Sequence, residues 1–442
     1  MNESTRSHSV ILDENECKGC TVCVTTCPTE AIRVRSGKAC ILDERCIDCG
    51  ECIRRCPNHA KKARSLDTSL LGIPGTGSDF EYVIALPAPS LYGQFPSRYS
   101  IGDIHSALLS LGFDAVFPVA SATPFIARET RELLGKKEGT EPNRPLISSS
   151  CPTIIKFIQI RFPTLLGHIA PVIAPMELAG RLARKEAKKT GKRIGVFFIS
   201  PCAGKITESS SPIGNEKSTI DGVFSMKDIY LPMLCALSKM ESEGKSVEIG
   251  AEEIAWGHAG GEAEATVSLS GHTYLAVDGM DQCRKILETV EDGKLGMIDF
   301  LELMACTGGC VGGPLSPTNP ALARFTITQR KKGFAHSSAP LTEAHPEKPS
   351  GAKCADRLRT KEFPARPALL LDSDFQKALR MMATMEEIYE GLPGLDCGCC
   401  GAPNCHALAE DIVRGNANRT DCVIILKEQY RALLESGKTD LK

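Results

Sequence analysis

CKGCTVCVTTCP, residues 17–28, decides how the front of this chain folds, and CIDCGECIRRCP, residues 46–57, repeats it. Both runs have the form C-x2-C-x2-C-x3-C-P. Three thiolates spaced two residues apart wrap one cube of iron and sulfide, and the fourth, held by its proline, reaches the other cube. Cluster one is therefore assigned to Cys17, Cys20, Cys23 and Cys56, and cluster two to Cys46, Cys49, Cys52 and Cys27. A zinc site or a disulfide framework would not require two tandem copies, each with its proline. The spacing predicts a two-cluster electron-transfer module.

The chain has 442 residues and 21 cysteines. Its 52 Lys and Arg balance 54 Asp and Glu, so composition implies no nucleic-acid or anionic-membrane partner. The segment MNESTRSHSV lacks an apolar core of the kind that directs export. No apolar run approaches the roughly eighteen residues that span a bilayer. So many cysteines without an export signal suit a reducing cytoplasm, and an anaerobe.

Outward from the cysteine runs, residues 1–66 form a ferredoxin-like two-cluster module. A Gly- and Ser-bearing link follows. From 80 to 330 strand-like runs alternate with amphipathic helical ones. The strands are YVIALPA (82–88), PLISSS (145–150), RIGVFFISP (193–201) and TYLAVDG (273–279). The helices include TPFIARETRELLGKK (123–137) and PMELAGRLARKEAKK (175–189). This alternation predicts an α/β domain built on parallel sheets. Residues 331–367, rich in Pro, Lys, Ser and Ala, are expected to be a linker. Residues 368–442 are expected to be a small helical iron–sulfur domain.

Further cysteines lie outside the first module. Cys151 sits in SSSCPT, Cys202 in SPCAGKITES, and Cys306 and Cys310 in FLELMACTGGCVGGP. Each motif follows or ends a strand, where α/β folds place ligand sites. Four soft thiolates converging there would hold one more cube, and the glycines after Cys306 would let backbone approach it. Four buried, inert cysteines are the alternative. Near the C-terminus, Cys397, Cys400 and Cys405 lie on a Gly-rich loop, and Cys422 opens the last helix. That set suits a further cube, with zinc open as an alternative and Cys399 a possible substitute ligand. Of the remaining cysteines, Cys235 and Cys283 fall on helical patterns and are expected in the core, and Cys354 lies in the linker.

The central motifs resemble the catalytic domain of the iron-only (FeFe) hydrogenases, whose signatures are TSCCPxW, MPCxxKxxE and ExMACxGGCxxGG. Recognisable versions of all three occur in order over roughly residues 80–325, and the resemblance implies a domain of two parallel-sheet lobes. The resemblance implies that Cys151, Cys202, Cys306 and Cys310 ligate the cubane of an H-cluster. Cys310 would bridge to a diiron subcluster whose CO, cyanide and dithiolate ligands come from separate maturation enzymes. With the two N-terminal clusters and the C-terminal one, that makes four 4Fe-4S clusters. Lys205 would bind a cyanide, with Glu208 completing the signature, and Met304 would pack beside the irons. Ala88, Pro89, Ser90, Pro175, Gly257 and Gly260 match segments lining the pocket. Dihydrogen and protons are the implied substrates, with an unspecified redox or signalling partner. The C-terminal segment is similar to cluster domains appended to divergent hydrogenases.

The departures carry as much meaning. Ser150 stands where the family has the cysteine that donates protons to the bridging amine, and a hydroxyl ionises far less readily than a thiol. Ser200 replaces the Met of the second signature, and Ile154 the Trp of the first. Glu129 and Glu132 resemble the outer carboxylates of the family's proton path, but IAPVIAP lacks its serine. His258 replaces a small residue in the glycine segment, either as a relay or as a ring satisfied by backbone. Glu262 and Glu264 read as solvated or structural. These features resemble the divergent hydrogenases regarded as sensory. The expectation is a hydrogenase-type oxidoreductase of low turnover in a dihydrogen- or redox-sensing role, with a non-catalytic iron–sulfur carrier or sensor as the alternative.

Overall fold

The computed structural model describes residues 8–70, 80–135, 143–240, 247, 249–268, 270–335 and 357–436. The chain divides into two compact units. Unit one comprises Met1–Cys46, Glu51–Lys62 and Arg366–Lys442; unit two comprises Ile47–Gly50 and Ala63–Ala365.

The N-terminal part has four short strands, β1 (Val10–Leu12), β2 (Ile32–Arg35), β3 (Lys38–Ile41) and β4 (Lys61–Ala63). β1 pairs with β4, and β2 pairs antiparallel with β3. The helices Val22–Thr25 and Glu51–Arg55 carry the third cysteine of each run. The repeat is visible in the backbone as well as in the spacing. The residue before the second cysteine is left-handed in both runs, Gly19 at φ 65° and Asp48 at φ 57°. So is the residue after it, Thr21 at φ 61° and Gly50 at φ 72°. Such turns aim successive N–H groups into one concavity, as an anionic cluster requires.

In unit one the chain returns to this module from its far end. The C-terminal helices Phe375–Glu390, Cys405–Val413 and Val423–Glu435 enclose a small core around Met385, Ile388, Leu408 and Cys405. The Val34 N–H donates to Gly401 O at 2.8 Å. Gly401 has φ 81°, and a Cβ there would lie 2.2 Å from Val34 O, so the close approach needs glycine. Asp411 accepts from Arg33 Nε at 2.6 Å and Arg35 Nη2 at 2.5 Å, and Arg45 pairs with Glu410. Arg33 and Asp411 are both almost fully buried. The two iron–sulfur modules, separate by sequence, form one body.

Unit two holds β5 (Tyr82–Pro87), β6 (Ala115–Val116), β7 (Leu146–Ile147), β8 (Ile194–Ser200), β9 (Gly222–Ser225), β10 (Tyr274–Asp278) and β11 (Phe300–Met304). They form two sheets, ordered β6-β5-β8-β9 and β10-β11-β7, with every pairing parallel. The central strands read as continuous apolar runs because helices cover both faces. The predicted strand over 145–150 is shorter than expected. Its last three residues, Ser148–Ser150, instead turn into the site.

Of the expected linker 331–367, residues 336–356 lie outside the described residues. Its start completes the helix Pro320–Ala335. From Arg357 it is no free tether. Leu358 bridges antiparallel to Val172, Ile173 N–H donates to Arg357 O, and Arg359 N–H donates to Pro171 O, both at 2.9 Å. Composition misread it because the strap is held by side chains from elsewhere in unit two.

Replacing Asp411 by Ala leaves buried Arg33 without its counter-charge. Removing one partner of such a pair costs about 3 kcal/mol, at the lower end because Arg35 is partly exposed. The expected outcome is an earlier urea transition for unit one, with proteolytic release of the C-terminal helices.

Candidate metal centre

Cys17, Cys20, Cys23 and Cys56 line one cavity, together with Val34 and Lys61. These are the four residues that spacing assigns to cluster one. Burial pushes the Cys23 thiol up to about 11, and Cys20, Cys56 and Cys17 add to the shift as neighbouring like charges. Burial likewise pushes Cys52 up to about 12, with Cys27 the next cause. The fourth cysteine of the first run therefore lies beside the second run. Bare thiolates would be costly here, and bound iron removes that cost, so these residues fit the group.

In unit two the motifs emerge at the carboxyl ends of parallel strands. β5 leads to Ala88, Pro89 and Ser90; β7 to Ser148–Cys151; β8 to Ser200 and Cys202; β11 to Met304, Cys306 and Cys310. Burial raises the Cys202 thiol to about 11, with Cys151 the next contributor. Cys310 is raised further by burial and then by Cys151 and Cys202. Those three sulfurs therefore lie within electrostatic reach of one another. Cys306 is buried, and its carbonyl accepts from Gly309 N–H at 2.9 Å.

The backbone closes tightly around them. A Cβ on Gly309 (φ 86°) would lie 2.4 Å from Ala259 N and 2.8 Å from Met304 Sδ. One on Gly257 would lie 2.7 Å from Ser90 N. The glycine segment, the 88–90 turn and the CTGGC loop are thus packed together, with Val311 N–H donating to Gly257 O at 2.8 Å. A converging soft-sulfur set inside a glycine cradle fits an iron–sulfur group.

Lys205 Nζ donates to Ser150 O at 2.9 Å and to Glu208 Oε2 at 3.1 Å. It is deeply buried, and its ammonium is retained: burial opposes the charge, but Glu208 and neighbouring cysteines outweigh it. Two of its three N–H donors are engaged within the protein, leaving one for a ligand. Ser200 Oγ accepts from Cys202 N–H at 3.0 Å and donates to Cys202 O, so it shapes this turn. Pro175 is buried at the first position of the helix Pro175–Ala187. Gly260, at φ 88°, caps the helix Gly261–Val267.

The residues of the expected proton path are not brought together. Glu129 is buried, 3.8 Å from Arg357 of the strap, and Glu132 is exposed and paired with Arg128 at 2.9 Å. His258 Nδ1 lies 2.9 Å from Ala259 O, and burial lowers its pKa, the arrangement of a neutral ring satisfied by backbone.

Glu262 is the residue the sequence reading missed. It is buried, not solvated. Ser148 Oγ donates to its Oε1 at 2.7 Å, and the nearby Ser150 side chain also helps to hold its pKa down. Its Oε2 is buried with no hydrogen-bond partner among the described residues. Glu302, the first residue of the third signature, accepts from Gly260 N–H at 2.8 Å and Ala263 N–H at 2.7 Å. Burial raises both carboxyls, and the Glu262 charge raises Glu302 further. Two like charges buried together do not both ionise readily, so the pair retains a proton near neutrality. A helical pattern with Glu262 beside Glu264 offered one clue, since only one of the two can face inward. Glu264 is the outer one, paired with Lys331 at 2.9 Å.

In the C-terminal domain Cys405 and Cys422 are buried, whereas Cys397 and Cys399 are exposed. Burial raises Cys400, with Cys422 and Cys397 adding to it, while Cys397 and Cys422 both raise Cys399. Cys399 and Cys400 therefore each lie within electrostatic reach of both Cys397 and Cys422. Cys283 is buried as expected, but Cys235 is exposed, because its helix turns that face to solvent. Cys354 lies outside the described residues.

The family model for the iron-only hydrogenase large subunit, C-terminal domain, matches residues 81–239 and 232–314. A 4Fe-4S dicluster model matches residues 9–57, and an Fe-S cluster model residues 392–424. The chain belongs to the iron-only hydrogenase family, a family of iron–sulfur oxidoreductases. It is 28% identical over 372 residues to the periplasmic Fe hydrogenase large subunit of Nitratidesulfovibrio vulgaris, covering 71% of this chain and 88% of that one. It is 26% identical over 294 residues to iron hydrogenase 1 of Clostridium pasteurianum, covering 54% of this chain and 51% of that one. Over 111 residues, 23% of the chain and 22% of the relative, it is 28% identical to a cytosolic Fe-S cluster assembly factor, the NAR1 homolog of Schizosaccharomyces japonicus. The chain thus spans about half the length of the clostridial relative. An apo FeFe-hydrogenase HydA1 structure from Chlamydomonas reinhardtii superposes with a TM-score of 0.48 at 17% identity, over 68% of this chain and 98% of that one. No helix among the described residues is long and apolar enough to cross a membrane.

Cys202→Ala is expected to lose one cluster's worth of iron. Cys283→Ala, which removes a fully buried thiol hydrogen-bonded to Met304 O, is expected to keep it. Iron and sulfide analysis of the reconstituted proteins checks both.

Proposed function

We propose that this protein binds dihydrogen and turns it over slowly at an H-cluster, in a dihydrogen- or redox-sensing role. The cubane would be held by Cys151, Cys202, Cys306 and Cys310. When bound, the diiron subcluster supplies the metal site at which dihydrogen is formed or split. The rest falls to the chain. Lys205 orients a ligand through its remaining N–H. The glycine cradle and Met304 exclude water. Three further 4Fe-4S clusters, in the sets Cys17/Cys20/Cys23/Cys56, Cys27/Cys46/Cys49/Cys52 and Cys397/Cys400/Cys405/Cys422, would carry electrons.

The observation that carries the reading is Ser150 lying between Lys205 and Glu262. A serine hydroxyl is too weak an acid to donate as the family's cysteine does. It can pass a proton on if it receives one in the same step, and the Glu262 carboxyl is placed to supply it. The proton would move from Glu262 to Ser150 Oγ as the hydroxyl gives up its own. Such a relay is slower than a matched thiol, which agrees with a sensing role better than with high flux.

The second reading, a carrier or sensor without the diiron unit, draws support from the stretch shared with the cluster assembly factor. Infrared spectra of protein matured with the hydrogenase maturation enzymes separate the two. Bands of iron-bound CO and cyanide are expected, and their persistent absence would sink the hydrogenase reading.

Given those bands, Ser150→Cys is expected to raise hydrogen evolution. Glu262→Gln is expected to lower the residual rate by roughly 10²-fold, the scale of a lost acid–base group. An unchanged rate in Glu262→Gln would show that the proton enters elsewhere.

A further inference from the structure

Arg359 lies beyond the 81–314 region that matches the hydrogenase model, in the segment whose composition reads as a linker. Its guanidinium is nevertheless almost wholly buried in unit two. Nε donates to Val172 O at 3.0 Å, Nη2 donates to Ser149 O at 3.1 Å, and Nη1 donates to Ile213 O. Nη1 also lies 3.6 Å from Glu208 Oε1. The Phe363 ring covers the guanidinium at 5.3 Å. Gly214 makes room for the stem, since a Cβ there would lie 2.8 Å from Arg359 Cδ. This is a built site, with almost every direction of the fork engaged.

Glu208 therefore sits between two cations, Arg359 on Oε1 and Lys205 on Oε2. The same two cations hold consecutive carbonyls of the loop before Cys151: Arg359 takes Ser149 O and Lys205 takes Ser150 O. We propose that Arg359 is a positioning residue for the H-cluster pocket: by sharing the Glu208 carboxylate and pinning Ser149, it fixes the Lys205 ammonium so that one N–H is free for a ligand. This rests on the proposed assignment of Lys205 as a cyanide partner. With Arg359 present, Glu208 divides its charge between two partners. Without it, Glu208 would draw the ammonium wholly to itself, and the Ser149–Ser150 turn would lose one of its two anchors.

The test is the infrared spectrum of matured Arg359→Gln, which keeps a polar donor on a shorter stem and removes both the charge and the fork. A hydrogen bond at the cyanide nitrogen raises its stretching frequency, so weakening it is expected to move one cyanide band to lower frequency. Arg359→Lys keeps the charge without the fork and is expected to give a smaller shift in the same direction. In a Glu208→Gln background the Arg359 substitutions are expected to add a smaller shift, because the carboxylate is then neutral and only the Ser149 anchor is lost. If Arg359→Gln takes up no iron, Arg359→Lys carries the same comparison. Unchanged cyanide bands at wild-type iron content would overturn the proposal, as would an equal shift in both backgrounds. Absence of CO and cyanide bands from the wild type would instead remove the H-cluster reading, a distinguishable failure.

Discussion

Everything in unit two follows from the difficulty of burying thiol groups as anions. Cys202 and Cys310 lie where burial raises their pKa, and Cys151 beside them makes both harder to ionise. Such a cluster of donors is tolerable only with a cation at its centre. Parallel sheets solve the geometric half of that problem. They deliver the ends of several strands, distant in sequence, to one edge, where backbone N–H groups and short loops can converge. Glycine at 257 and 309 then brings the backbone nearer than any side chain would permit.

Charge is handled in the same way one layer further out. Lys205 and Arg359 flank Glu208, and the two cations hold neighbouring carbonyls of the loop that presents Cys151. The frame is rigid because each group has more than one partner. On the other side of Ser150 lies the opposite arrangement, Glu262 and Glu302, two carboxyls that cannot both be charged cheaply. Ser150 thus lies between a retained ammonium and a retained proton. A hydroxyl there has a use that an isolated serine would lack.

Unit one uses a different device. The N-terminal module is too small to bury much on its own, and the C-terminal helices supply the missing surface through Gly401, Glu410 and Asp411. Val34 illustrates the result, lining the cluster-one cavity while its N–H bonds the residue after Cys400.

The cysteine runs were legible because a cluster imposes its own spacing on a local loop. Sixteen candidate ligands, the alternating α/β pattern and the meaning of Ser150 could all be read from residue order, since each is set within a few positions of the chain. Whether Glu262 is solvated or structural stayed open in the sequence, because a carboxylate between apolar helical positions looks the same whether it faces water or a serine. Arg359 was invisible for a similar reason: nothing in a Pro- and Lys-rich stretch indicates that Val172, Ser149 and Glu208 await it. Sequence by itself determined the iron–sulfur character of the chain and its candidate ligands. Tertiary structure alone decided which charges surround them, because burial and partner distance are properties of the packed chain and not of any segment.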